Sequence, residues 1–516
     1  MKRFFNTTGP CDARRHYMLP ALARLPGVEL LIERQQYFVL HAARQTGKTT
    51  AIGALAAELR AQGMVAVHAT LEESQGIEDL AMAEAIWLRA LRAASVVLPA
   101  GQKAPAPTGA PTGTQLNDLL MTWAAQVAPT PLLVFLDEAD VVRGPVLVSL
   151  LRQLRAGFPS RPDHFPASVA LVGMRDLRDY LAEAKGGVPV NPGSPFNIKA
   201  ESITLQNFTH AEVAALYAQH TADTGQAFSP EAVAEADRLT RGQPFLVNAL
   251  AKICIDKLVP DRSCTVEAGH IAGAREQLIL SRTTHLDSLA QRLREPRVAR
   301  VIAPIIEGTG AIEASSDDFT YCIDLGLVAP HARPPEIANP IYREIIAREL
   351  SLVVQDNLRL PERPWKRADG SLDTAVLVEN FLQWWRENSE FGEQNTPEYY
   401  REAFVHLCFM AYLQRVVNGG GQVHREYAAG TGRVDLCVEM GGRRAVVELK
   451  RVRAAVDTLE RVLSGGVEQL SGYLDRLGER EGWLLVFDQR PGRTWDERLW
   501  SEDRQVGGRV LHLRGA

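Results

Sequence analysis

A chain of 516 residues is too long for one hydrophobic core, so roughly two to four domains are expected. With 46% apolar and 23% charged residues and a net charge of −5, the composition is that of a globular protein. It excludes a wholesale basic coat for nucleic acid, so any such surface must be local. The six cysteines show neither CxxC pairing nor metal-ligand spacing and read as reduced, mostly buried thiols. MKRFFNTTGP carries no apolar h-region and no stretch has the length of a membrane span, so a cytoplasmic protein with no membrane partner is expected.

In chain order, the first informative element is the short apolar strand at 37–41, which runs into the small-residue loop AARQTG. A helix follows, KTTAIGALAAELRAQG, with apolar residues at helical spacing and a stop at Gly63. MVAVHATL (64–71) predicts a second buried strand. Residues 99–115, PAGQKAPAPTGAPTGTQ, predict a surface insertion without a regular element. After a further helix, PLLVFLDEAD (131–140) predicts a fully buried parallel strand with acids at its end. A helix over 145–157 and the buried strand SVALVGMR (168–175) complete an alternation that predicts a doubly wound α/β sheet.

Beyond about residue 205 the pattern turns helical. Thr209 and Glu212 form a capping box, Ser229-Pro230 opens another helix, and Gly242-Gln243-Pro244 breaks the chain before a helix over 245–257. Residues 265–350 read as mostly helical, with a short pairing between GLVAP and EIANP. The Pro-rich, charged segment 358–372 is the best linker candidate.

The last domain contains RVDLCVEMGGRRAVVELK (433–450). Gly441-Gly442 between two apolar-rich runs predicts a hairpin, because both turn residues need positive φ. Met440 then pairs with Arg443, and counting back sets Asp435 opposite Glu448. Glu448 and Lys450 share one face of their strand while Val447 and Leu449 take the other. Carboxylates opposite one another across a ladder repel, which calls for a cation between them. A solvent-facing charged hairpin is the plainer alternative.

The loop Ala42-Ala43-Arg44-Gln45-Thr46-Gly47-Lys48-Thr49 meets GxxxxGK[ST] at every defined position but the first, where Ala42 replaces Gly. Backbone N–H groups at a helix start cradle phosphates, and the helix dipole favours an anion there. Lys48 would reach the β- and γ-phosphates, Thr49 would ligand Mg²⁺, and Asp137 would hold that Mg²⁺ through water. Glu138 would orient or deprotonate the attacking water.

These residues resemble the P-loop ATPases of the AAA-like and STAND-like group. HAARQTGKTT resembles their Walker A, LLVFLDEAD their Walker B, and LVGMR a sensor strand whose Arg175 would touch the γ-phosphate. GQP at 242–244 is similar to a GxP motif near the nucleotide base, which adds Pro244 to the loop residues Arg44 through Thr50 as nucleotide contacts. The leader FNTTGPCDARRHYMLP resembles one that packs by the adenine. The resemblance covers roughly residues 1–350 and implies ATP binding, Mg²⁺ and a homo-oligomer through this module; Arg282 is one candidate arginine finger, and a helix-surface role is the alternative.

The order helix (398–413), strand (422–427), Asp435 strand, Glu448–Lys450 strand, helix (454–477), strand (483–487) is similar to the core of PD-(D/E)XK nucleases. Asp435 with Glu448-Leu449-Lys450 fits their motif, and Gln469-Leu-Ser-Gly-Tyr473 matches the QxxxY of the RecB-like branch. That family places Pro or Gly just before the Asp; here Val434 stands there, with Gly432 three back. The resemblance implies that Asp435 and Glu448 hold Mg²⁺ or Mn²⁺, with Glu402 as a further ligand or an exposed helix acid. Lys450 would orient water or offset charge, and Gln469 and Tyr473 would position metal or backbone.

The expected layout is therefore an α/β P-loop ATPase core (1–205), a helical lid (206–260), a winged-helix-like region (261–357), a linker (358–372) and a nuclease-like α/β domain (373–516). The expected function is an ATPase coupled to a metal-dependent nuclease acting on nucleic acid, DNA above RNA, with a link to defence against foreign DNA that comes by resemblance alone. The alternatives are an ATPase switch whose tail only binds nucleic acid, and a regulatory ATPase whose target is a protein.

Overall fold

The computed structural model describes residues 3–174, 199–281, 291–307, 314–330, 332–357, 365–395, 404–417, 422–429, 432–440, 443–452, 458–490 and 492–516. The chain divides into two compact units. One comprises Met1–Leu289 with Phe319–Tyr342, the other Ala290–Asp318 with Arg343–Ala516.

The first unit is built on five parallel strands: β1 (Tyr37–His41), β2 (Val65–Thr70), β3 (Leu132–Asp137), β4 (Ser168–Gly173) and β5 (Lys199–Thr204). Their order across the sheet is β2-β3-β4-β1-β5. Every residue of β3 and β4 is buried, as expected for central strands covered on both faces. Alternate side chains sort to two cores. Val67, Leu132, Val134, Leu136 and Leu171 pack with Trp87, Trp123 and Leu150 on one face. Phe38, Leu40, Leu133, Phe135 and Val172 pack with Leu31, Ile52 and Leu55 on the other. Each large side chain so buried contributes about 1.5–3 kcal/mol. Two-sided burial thus explains why these strands read as continuous apolar runs.

The helices after β5 begin where the capping residues stand. The Thr209 hydroxyl accepts from Glu212 N at 3.3 Å and the Glu212 carboxylate from Thr209 N at 2.7 Å, opening the helix His210–Thr224. Ser229 accepts from Ala232 N ahead of Pro230–Thr240. The helix Pro244–Ile253 runs on into a π turn, Cys254–Leu258. Val328 bridges Ile337 antiparallel, the short pairing expected between GLVAP and EIANP.

The second unit carries a six-stranded mixed sheet: β6 (Gln422–Ala429), β7 (Gly432–Met440), β8 (Arg443–Val452), β9 (Glu481–Asp488), β10 (Trp500–Val506) and β11 (Arg509–Gly515). The order is β10-β11-β9-β8-β7-β6. β6, β7 and β8 form an antiparallel meander, β8 and β9 are parallel, and the helix Leu459–Leu477 makes the crossover between them. That helix lays Leu470, Tyr473 and Leu474 on Val446, Val452, Leu484 and Val486. Gly466 permits the approach, since a Cβ there would lie 2.9 Å from the Leu484 methyls. On the opposite face Phe487 meets Trp385 and Phe381, with ring centroids 5.1 and 6.3 Å apart, from the helix Thr374–Asn395. Within the segment expected as a linker, Trp365 is 2% exposed and Lys366 bridges Leu372.

Candidate functional site

The phosphate loop leaves the end of β1 and closes on Gly47, the N-cap of the helix Lys48–Ala61. Gly47 has φ +90° and Gln45 φ +58°, so the chain makes its turn through two left-handed residues. Arg44 and Gln45 are exposed at the tip, Thr46 is buried, and Thr49 and Thr50 are half-buried. Thr46 Oγ1 donates to Ala43 O at 2.8 Å, and Lys48 Nζ donates to Ala42 O and Ala43 O at 2.8 and 3.0 Å. Burial pushes the Lys48 ammonium below its usual pKa while Glu138, Asp140 and Asp137 pull it back up. Cys11 N, from the leader, donates to Thr50 Oγ1 at 3.0 Å. Pro244 is buried in the first turn of its helix, and Gln243 before it reaches Gln45 O with Nε2 at 3.4 Å.

Asp137 ends β3 and is 1% exposed. Its Oδ1 accepts from Glu138 N at 2.9 Å, and its Oδ2 lies 3.0 Å from His68 Nε2. Burial works against ionisation, but the His68 and Thr49 hydrogen bonds hold this carboxyl below its ordinary range. Glu138 follows in a left-handed conformation with φ +54°. Burial, then the charge of Asp140, raises its carboxyl above the usual value. The structure therefore gathers Lys48, Thr49, Asp137 and Glu138 at the carboxyl ends of β1 and β3, the edge where open parallel sheets take their ligands. Arg175 and Arg282 lie outside the described residues.

In the second unit β7 and β8 pair with Met440 opposite Arg443 and Leu436 opposite Val447. Among the described residues that pairing ends at Leu436 and Val447, one residue short of the expected Asp435–Glu448 pair. The side chain of Asp435 and the whole of Glu402 lie outside the described residues. Glu448 is fully buried, and Lys450 Nζ donates to its Oε1 at 2.7 Å. Glu448 and Lys450 pair with Leu484 and Val486, so they face the helix Leu459–Leu477. Gln469 and Tyr473 lie on that helix, with Gln469 Nε2 donating to the Tyr473 hydroxyl at 2.8 Å. Glu448, Lys450, Gln469 and Tyr473 are thus brought to one side of the sheet. A buried carboxylate is a hard oxygen donor of the kind Mg²⁺ takes, so the residues fit the ion.

Two residues escaped the sequence reasoning. His68 stands in an apolar strand, where only its polarity among small and apolar neighbours marks it. His406, on the helix Phe404–Val417, is 8% exposed, and among the described residues neither ring nitrogen has a hydrogen-bond partner. Burial, then the charges of Arg451 and Lys450, lowers its pKa to about 3.

The strand order, the glycine–lysine loop at the start of a helix and the acid at the end of β3 together fit the α/β fold of P-loop NTPases. No protein-family model and no curated protein matches the sequence. Among solved structures, the chain is similar to a Walker-type ATPase of Pyrococcus abyssi, with TM-score 0.47 and 13% identity over 66% of this chain and 99% of that one. It is also similar to the ORC2 protein of Aeropyrum pernix (TM-score 0.38, 16% identity, 65% and 93% covered). A point mutant of Thermotoga maritima RuvB gives TM-score 0.35 and 14% identity over 63% and 93% of the two chains. Among the described residues no helix is long and apolar enough to cross a membrane.

Proposed function

We propose that the chain is an ATP-hydrolysing P-loop protein whose second unit cleaves the phosphodiester backbone of DNA. What carries this reading is that one chain holds two phosphate-directed constellations. The first is Lys48, Thr49, Asp137 and Glu138 around a helix N-terminus. The second is Glu448 with Lys450, on a strand paired to the one that carries Asp435.

At the first site the loop N–H groups and Lys48 would bind the phosphates, Lys48 exchanging its present carbonyl acceptors for phosphate oxygens. Arg44 through Thr50 line that path, and Pro244 and Arg175 complete the nucleotide contacts. Thr49 and Asp137 would hold Mg²⁺, and Glu138, its carboxyl raised by burial, is suited to take a proton from water. At the second site Asp435 and Glu448, with Glu402, would hold Mg²⁺ or Mn²⁺. Lys450 would orient the attacking water or offset charge, while Gln469 and Tyr473 position the metal or the backbone. When bound, the metal offsets charge on the phosphoryl group and lowers the pKa of a coordinated water. The ATPase module would assemble into a homo-oligomer in the cytoplasm, with nucleotide licensing cleavage, in a role of defence against foreign DNA.

The test is cleavage of circular DNA, linear DNA, single-stranded DNA and RNA with Mg²⁺ or Mn²⁺, with and without ATP. Metal-dependent cutting lost in Glu448→Ala, with ATP dependence lost in Lys48→Ala, is expected. ATP hydrolysis without cutting of any substrate would reduce the tail to a binding module.

A further inference from the structure

Arg24 sits behind the phosphate loop, and the chemistry described so far makes no use of it. The residue is 8% exposed. Nε donates to Gln206 O at 3.1 Å, NH2 also reaches Gln206 O, and NH2 donates to Thr46 O at 2.9 Å. The Phe208 ring lies under it, 4.7 Å from Cζ to centroid. NH1 lies beside Gly47, where a Cβ would be in contact with it at 3.4 Å. Among the described residues its hydrogen-bond acceptors are all carbonyls and none is a carboxylate.

Two physical facts give this arrangement a function. First, a buried cation is costly unless paired with an anion, and carbonyl dipoles offset only part of one charge. Burial already lowers the Arg24 pKa to about 10, with the charge of Glu212 acting the other way. Second, a trans peptide points its C=O and its N–H in opposite directions. Thr46 O and Gly47 N belong to one peptide, so a donor that holds Thr46 O from behind aims the Gly47 N–H forward into the loop. Gln243 does the same for its neighbour by donating to Gln45 O at 3.4 Å, which aims the Thr46 N–H. A cation on the carbonyl also polarises the peptide and strengthens the N–H as a donor.

We propose that Arg24 is a positioning residue of the phosphate site: by gripping Thr46 O it orients the loop's N–H donors, and its missing counter-charge is the phosphate of a bound nucleotide. The same guanidinium holds Gln206 and stacks on Phe208 at the entrance to the helices beyond β5. Phe208 N in turn donates to Gly242 O at 2.8 Å. Phosphate binding and the seating of those helices therefore share one side chain. The proposal rests on the reading of the loop as a nucleotide site.

The experiment is calorimetric titration of the full chain with ADP and with inorganic pyrophosphate, using wild type, Arg24→Lys, Arg24→Gln and Arg24→Met. Thermal melting of each variant without ligand runs alongside. The expected result is a ~10- to 100-fold weaker affinity for both ligands in Arg24→Met, an intermediate loss in Arg24→Gln and partial rescue in Arg24→Lys. Unchanged pyrophosphate affinity in a folded Arg24→Met or Arg24→Gln chain overturns the proposal. So does a loss confined to ADP, which would make Arg24 a support for the base side alone. A wild type that binds neither ligand removes the nucleotide reading itself, whatever the variants do. Should Arg24→Met fail to fold, the order of Lys against Gln decides, since both can donate to Thr46 O and only one carries charge.

Discussion

His68 on β2 and Asp137 at the end of β3 are joined side chain to side chain, Nε2 to Oδ2 at 3.0 Å. β2 and β3 pair Thr70 with Asp137, so His68 is the diagonal neighbour two residues back, within reach of a long side chain. Gly53 on the helix Lys48–Ala61 lies beside the ring, where a Cβ would stand in ordinary contact 3.7 Å from Nδ1. With Glu138 N on Oδ1, both oxygens of Asp137 are held before any metal arrives. Replacing His68 by Phe frees one oxygen, and the Mg²⁺ concentration for half-maximal ATP hydrolysis should rise about tenfold. Asn, which keeps a donor, should recover part of the loss. An unchanged Mg²⁺ requirement in His68→Phe would make the contact one of packing only.

Glu138 is held left-handed at the end of β3, and its raised carboxyl suits a base. In Glu138→Gln the shape is kept and the proton acceptor is lost. ATP hydrolysis should fall about 100-fold or more while ADP affinity stays within a factor of a few. Parallel loss of binding and turnover would mean that Glu138 shapes the loop and takes no proton.

The central strands are legible in the sequence because two-sided burial leaves no polar residue to interrupt them; β3, LLVFLD, is the plainest case. The loop 42–49 is legible for a different reason, since its glycine and lysine stand at the spacing that phosphate-binding loops share. β5, KAESIT, escapes notice because an edge strand needs little apolar content. The β10–β11 hairpin turns on Gly507-Gly508, with φ +57° and +79°. That is the same signal that predicts a turn at 441–442, but the flanking WSEDRQV is mostly polar and hides the strand. His68 and His406 carry no spacing rule at all. Their environments are assembled by tertiary packing, and a period in the sequence cannot report that.

Gly242 has φ +70°, and a Cβ there would fall 1.8 Å from Phe208 O. Gly242→Ala therefore combines left-handed strain of about 1 kcal/mol with a backbone overlap that only displacement relieves. The thermal midpoint should drop by several degrees, and Gln243 should lose its reach to Gln45 O, weakening ADP binding as well. Retention of both would show that the break before Pro244 tolerates a side chain.

Asp318 in the second unit accepts from Arg297 Nε at 2.8 Å and from Arg300 Nε and NH2 at 3.0 and 2.8 Å. Burial raises its carboxyl, but the two guanidiniums pull further and leave it below the usual value. A lowered acid stabilises the fold above its unfolded pKa of about 4, and that contribution disappears as pH falls through the folded value. Asp318→Asn should therefore be less stable than wild type at pH 7, with the two converging as pH falls below the folded value in urea titrations. A constant gap across that window would show that charge plays no part.

The Lys450–Glu448 pair is asymmetric, because the Glu448 side chain is fully buried and that of Lys450 is 27% exposed. Removing Glu448 lets the partly exposed ammonium turn to water, whereas removing Lys450 takes a cation from a carboxylate that is buried away from water. Lys450→Met should thus lower the unfolding free energy more than Glu448→Gln, by a margin of about 2–3 kcal/mol. A divalent cation supplies the lost charge at a site built to hold one. Mg²⁺ or Mn²⁺ should therefore stabilise Lys450→Met more than wild type, and Glu448→Gln hardly at all. Metal stabilisation equal in all three chains would place the ion elsewhere and remove Glu448 from the proposed ligands.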